Sequence, residues 1–236
     1  MDHTITDDWQ TDVAPVSRIE ERVSARPEPY IPRKRTVADL CSNDTGRLLV
    51  SHARASADRR NLETFIRREF LEHFDAQIAH FMPVLVGLHD GRGSILAAAG
   101  CRSAGDERLF LETYLDTPIE QAISERFGAD VTRDEIVEVG SLACRNGRTA
   151  IAMIQALVPY LLEAKFRWVV FTGADTVVRV FQRLHLFPQR LCRADKSRLD
   201  CEQQGAWGRY YEHDPHVMAG RLLEGIRLLS LAVEAP

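Results

Sequence analysis

Apolar residues recur along this chain at two spacings, and the alternation between them lays out the elements. At helical spacing they mark an amphipathic helix over Asp58–Phe74, with Leu62, Phe65, Ile66 and Phe70 near one face and an aspartate at its start. Short apolar runs mark strands at Arg47–His52, Pro83–His89 and Ile95–Arg102. The turn His89-Asp-Gly-Arg-Gly-Ser94 joins the last two as a hairpin. Leu109–Leu115 follows, and strand alternation there places Glu112 and Tyr114 on one face. Thr117-Pro118 opens a helix with Glu120 in its first turn. Two β-α units come next: a strand over Glu135–Ala143 with a helix over Arg148–Ala164, then a strand over Arg167–Thr172 with a helix over Asp175–Leu184. Pro159 is expected to kink the first of these helices or limit its regular part. Phe187–Cys192 reads as a last core strand, and Trp207–Tyr211 precedes a helix from Pro215 to about Leu231. A hairpin followed by two β-α units predicts an α/β fold, a three-layer sandwich with a mixed, mainly antiparallel central sheet.

Residues 1–45 break this pattern. Pro15, Pro27, Pro29 and Pro32 alternate with Arg18, Arg22, Arg26, Arg33, Lys34 and Arg35, and apolar periodicity is absent. Such a basic, Pro-rich extension buries too little surface to offset its ordering entropy. It is read as a solvated arm, with peripheral contact to anionic lipid or to a carrier protein as the competing use. Residues 46–236 are read as a single domain. A hydrophobic share of 45% and a charged share of 27% suit a globular core. The net charge of −4 argues against a nucleic-acid partner. No apolar run reaches the ~18 residues that a membrane span needs. The first ten residues lack the positive start and apolar segment of a secretory signal. Five scattered cysteines, without metal-ligand spacing, are expected to be reduced thiols in the cytoplasm, and no metal site is expected.

The stretch Ile136–Thr149 carries the chemistry. An apolar strand bearing one carboxylate, Glu138, runs through Arg145-Asn-Gly-Arg148 into a helix. Helix N-termini with nearby arginines attract anions, so Arg145 and Arg148 are candidates for a phosphate, with Gly147 taking φ > 0 to let amides converge. Glu138 is expected to act as a general base raised by burial, or to form a salt bridge with Arg102 across the sheet. Cys144 is a weak candidate nucleophile, lacking a histidine at informative spacing. Asp175 is expected to cap the following helix.

The order of elements resembles the acyltransferase superfamily of the GCN5-type N-acetyltransferases, in which the fourth strand leads into the coenzyme A pyrophosphate site. The chain also resembles acyl-homoserine-lactone synthases in Gly100-Cys-Arg-Ser103 and Val137–Ala143, although the arginine of their strand motif is missing. Its segments Leu109–Glu120, Ile136–Ala143, Trp168–Thr172 and Trp207–Tyr211 are similar to the thermostable hemolysin family. These resemblances imply an N-acyltransferase that moves an acyl group from acyl-CoA or a phosphopantetheine-linked carrier protein to a small amine, without a tightly bound cofactor. Glu138 would be its base. Arg102, Glu112, Tyr114, Ser141 and Trp207 would bind the acceptor, with Tyr210 and Tyr211 lining an acyl pocket. Leu142, Ala143, Arg145, Gly147 and Arg148 would hold the donor. Two alternatives stay open: a non-enzymatic or membrane-active protein on the same fold, and an autoinducer-type synthase using S-adenosylmethionine.

Overall fold

A computed structural model describes residues 47–51 and 57–234, all within the unit Ile31–Pro236. The Pro-rich extension, Cys41 and His52 lie outside the described residues. In chain order the elements are β1 (Arg47–Ser51), α1 (Ala57–Phe74), β2 (Val84–His89), β3 (Ile95–Ser103) and a 3-10 turn, Phe110–Tyr114. Then come α2 (Ile119–Phe127), β4 (Ile136–Cys144), α3 (Gly147–Glu163), β5 (Trp168–Gly173), α4 (Asp175–Arg183) and β6 (Gln189–Arg193). The chain continues through α5 (Cys201–Ala206), a 3-10 turn at Tyr210–His213, β7 (His216–Arg221) and α6 (Leu222–Glu234). The strands form one seven-stranded sheet in the order β1-β2-β3-β4-β5-β7-β6. Only β4 and β5 run parallel; the other neighbours are antiparallel.

Helices cover both faces, as the three-layer reading expects. On one face α3 packs Met153, Ile154, Leu157 and Leu161 against Val86, Ala97, Ala99 and Val137. On the other, α1 packs Leu62, Phe65, Ile66 and Phe70 against Leu85, Ala98 and Ala143. Beside it on that face, the 3-10 turn and α2 cover Ile136, Trp168, Val170, Val217 and Ala219. Burying these apolar side chains stabilises the sandwich by roughly 1.5–3 kcal/mol for each large one.

Three expectations need correction. Leu109–Leu115 is not extended, because Glu112 turns back on the chain and accepts the Leu109 N–H at 2.8 Å. That local bond competes with strand geometry and wins. His216–Arg221 is a strand rather than the start of the last helix. Val217, Met218 and Ala219 are buried between β5 and β6, and a short apolar run buried on both faces carries no strand periodicity. The strand at Gln189–Arg193 lies at the sheet edge and is not the last one. In addition, α3 runs through Pro159 to Glu163, and Ala174 rather than Asp175 is the N-cap of α4.

Two irregularities position the site. Strands β4 and β5 pair only over Ile136–Glu138 and Trp168–Val170, and their C-terminal halves part. The β3–β4 ladder shifts register, so that Ser141 and Leu142 together face Ala99, with Ser141 at φ 51°. This bulge swaps the faces of the strand beyond it. Leu142 turns to the α3 side, while Ala143 packs under α1.

Gly208 fixes the Trp207–Tyr211 segment against the end of α1. Its φ is +50°, and a Cβ there would lie 2.3 Å from the Phe74 carbonyl oxygen and 2.4 Å from that of Asp75. Both backbone strain and a backbone clash oppose any side chain. Gly208→Ala is expected to destabilise the fold by about 2–4 kcal/mol, read from the denaturant midpoint.

Candidate active site

Where β4 and β5 part, a cavity of about 560 Å³ passes from one face of the sheet to the other. On the α3 side its walls are aliphatic: Ile154, Leu157, Val158, Leu161, Val169 and Leu222, closed by the stacked rings of Phe171 and Phe181. Helix α4 lends Thr176, Val177 and Phe181 to this half and has no fully buried residue. On the α1 side the walls are aromatic and polar, with Glu138 at the junction.

Glu138 is 3% exposed. Each of its oxygens accepts one backbone N–H from the 3-10 turn, that of Phe110 at 3.0 Å and that of Leu111 at 3.1 Å. Burial pushes its carboxyl up to about 7, against the downward pull of the two amides and the Arg102 charge. A carboxyl at that value can exchange protons near neutrality. Arg102 stands opposite Glu138 in the β3–β4 register and lines the cavity, but its closest acid is Glu107, at 3.1 Å from Nε. The expected ion pair of Arg102 with Glu138 is therefore replaced by one with Glu107.

Glu112 lies outside the cavity lining, buried in a network of its own. Arg133 grips it with two bonds of 2.8 and 3.0 Å and also reaches Glu120 at 2.7 Å. The N–H groups of Leu109 and Ile119 fill its remaining acceptor sites at 2.8 and 3.1 Å. Burial alone would raise this carboxyl, yet Arg133 and the amides outweigh it and hold it below its ordinary value. Both oxygens are engaged by Arg133 and backbone amides outside the cavity, so Glu112 is not placed to receive an acceptor's ammonium group. What Glu112 does is shape the turn whose amides hold Glu138.

Tyr114 does not share a face with Glu112: it lines the cavity and hydrogen-bonds the Tyr211 hydroxyl. Burial, reinforced by that bond, raises its phenol well above the ordinary value. Burial pushes the Tyr211 phenol up to about 12. Ser141, Leu142 and Trp207 line the cavity as well. Ala143, Arg145, Gly147 and Arg148 do not. Asn146 caps α3, its side chain accepting the Thr149 N–H at 3.0 Å, and Gly147 is the first helical residue with no positive φ. The expectation of a left-handed Gly147 fails because the turn is closed by Asn146. Burial pushes the Cys144 thiol up to about 12, which leaves it un-ionised and a poor nucleophile.

Sequence reasoning missed the segment Gln77–Met82, which lines the α1-side half. It has no regular structure and is tied down through its backbone. Arg59 donates to the carbonyls of Met82 at 3.0 Å and Pro83 at 2.9 Å, Arg67 to that of Ile78 at 3.2 Å, and Gln77 N–H to Ala206 O at 2.7 Å. Met82 lies over the register-paired Gly100 and Gly140, where a Cβ would meet its side chain at 2.9 and 2.5 Å. Both glycines were visible in the sequence, but not the side chain that needs them. Thr172 was missed too; it lines the cavity with its Oγ1 buried and without a hydrogen-bond partner.

This architecture is that of the acyl-CoA N-acyltransferase-like folds. It is similar to FeeM, an N-acyl amino acid synthase from uncultured soil microbes, at TM-score 0.56 and 13% identity, covering 80% of this chain and 98% of that one. TofI in an apo form matches at TM-score 0.53 and 16% identity, over 78% and 99% of the two chains. BjaI, a CoA-dependent acyl-homoserine lactone synthase solved with SAM and isopentyl-CoA, matches at TM-score 0.52 and 10% identity, over 81% and 90%. No curated protein sequence matches the chain. The sequence profile of the thermostable hemolysin family matches residues 52–226, and the chain belongs to that family.

The Glu112–Arg133 pair should be costly to break from one side only. Arg133→Met strands a buried carboxylate and is expected to cost about 3 kcal/mol in chemical denaturation. Adding Glu112→Gln to that variant should recover part of the loss, the signature of a coupled pair.

Proposed function

We propose that this protein is an N-acyltransferase that moves an acyl group from a thioester, acyl-CoA or a phosphopantetheine-linked carrier protein, to the amine of a small molecule. The observation that carries the reading is the position of Glu138, a buried carboxyl near neutrality at the waist of a cavity that passes between parted strands. The thioester enters between β4 and β5, with its acyl chain in the aliphatic half. The acceptor arrives from the α1 side. Glu138 takes one proton from the acceptor's ammonium group. The neutral nitrogen attacks the thioester carbon, forming the C–N bond. The C–S bond then breaks, and the thiolate leaves with the second nitrogen proton. Glu138 returns its proton to water. The developing oxyanion is assigned to the backbone N–H groups at the Ser141–Leu142 bulge. The carrier's phosphates are assigned to the start of α3, beside the exposed Arg145 and Arg148. The similarity to FeeM and to the CoA-dependent BjaI supports the same class of chemistry.

Thiol release from a series of acyl-CoA and acyl-carrier donors in the presence of amines tests this reading. Glu138→Gln is expected to lower kcat by ~10²–10⁴ without unfolding the protein. Wild-type turnover in that variant would remove Glu138 from the mechanism. Because the base works only when ionised, the wild-type rate should rise with pH through about 7 and level off above it. A profile that is flat between pH 5 and 8 would contradict the assignment.

Donor affinity should fall in Arg145→Ala/Arg148→Ala by ~1.5–3 kcal/mol per lost charge-assisted bond and weaken with salt. Gly147→Ala should leave it unchanged. Calorimetric titration of coenzyme A into the three proteins reads both, and equal affinity in the double variant would move the phosphates elsewhere.

A further inference from the structure

The two halves of the cavity differ in chemistry as well as in face. The α3 side is walled mostly by branched aliphatic chains, which accommodate a flexible hydrocarbon. The α1 side is walled by Phe70, Phe74, Phe110, Trp207, Tyr210 and Tyr211. Trp207 is the hub, with ring centroids of Phe70, Phe110, Tyr210 and Tyr211 at 6.1, 5.9, 5.3 and 6.4 Å. These rings are tilted or edge-on to it. Such a wall offers both ring faces and ring edges to an incoming ring, the arrangement that aromatic pairs favour. A core filled by its own rings would leave no space at its centre, whereas all six rings border the void.

We infer that the acceptor is an aryl-bearing primary amine, whose ring lies against Trp207 and Phe110 while its nitrogen reaches Glu138. Phe110 joins the two ends of this site, because its N–H holds Glu138 and its ring faces Trp207. Ring placement and base placement are thus set by one residue. Thr172 Oγ1, buried without a partner on the same face, is available to a polar atom of the acceptor. Arg102, also on this face, is placed to meet a carboxylate if the amine is an amino acid. The assignment rests on the acyltransferase reading for the role of the amine, while the aromatic subsite stands on the lining alone.

Matched acceptors separate the two. Phenylalanine is compared with leucine, and phenethylamine with 3-methylbutylamine, in thiol release from octanoyl-CoA and dodecanoyl-CoA and in binding by saturation-transfer NMR without donor. Two aromatic contacts correspond to about tenfold or more in preference. At least that advantage in kcat/KM for the aryl member of either pair is expected, with phenylalanine ahead of phenethylamine if Arg102 holds a carboxylate. Trp207→Leu should erase the preference; Phe110→Leu serves if that variant does not fold. Aryl-selective binding with no thiol release would keep the subsite and overturn the transferase reading. Thiol release that is equal or faster with the aliphatic members would keep the transferase and overturn the subsite. Neither binding nor release would overturn both.

Discussion

The structure turns on the point at which β4 and β5 stop pairing. Two parallel strands that stayed together to their ends would bury their backbone groups in a continuous sheet and leave no passage through it. Here the pairing stops at Glu138 and Val170. Beyond that point the bulge at Ser141–Leu142 turns β4 aside, while β7 holds β5 through an antiparallel ladder up to Gly173. The passage exists because each parting strand stays paired on its outer side, β4 with β3 on either side of the bulge and β5 with β7.

Placing a carboxyl at the waist of an apolar passage has a cost, and the fold offsets it with two amides and with the charge of Arg102, which pairs with Glu107 rather than with Glu138 itself. A paired arginine would hold Glu138 ionised and inert. Two neutral N–H donors compensate only part of the desolvation, which leaves the proton free to come and go. A second cation of the region, Arg133, is taken up by Glu112. Division of labour between Glu112 and Glu138 follows from their surroundings: the first is charged and structural, the second poised.

Much of the fold was legible because its helices and outer strands carry clean periodicities. Most elements from β1 to α4 fall within a few residues of where spacing puts them. Glu138 was legible too, since one carboxylate in an otherwise apolar strand calls for explanation. The failures share a cause. Glu112 was misjudged because a side chain bonding its own backbone is invisible to periodicity, and β7 because a strand buried on both faces shows none. The bulge hid the opposite facing of Leu142 and Ala143. Met82 and its glycines, like Thr172 and the aromatic wall, are brought together by tertiary packing across distant segments, and no local pattern announces them.

The segment Gln77–Met82 is hydrogen-bonded through its carbonyls and a single amide, while Ile78 and Phe81 pack into the core under α1. Arg59 and Arg67 of α1 hold the backbone itself, and any residue offers the same carbonyl oxygen. The exposed side chains of Gln77, Ala79 and His80, which also line the cavity, can therefore be exchanged with little effect on the fastening. The packing of Met82 over paired glycines marks the limit of that freedom. A scaffold of this kind can reshape its cavity through one short stretch of chain, while Glu138, the amides that hold it and the parted strands stay as they are.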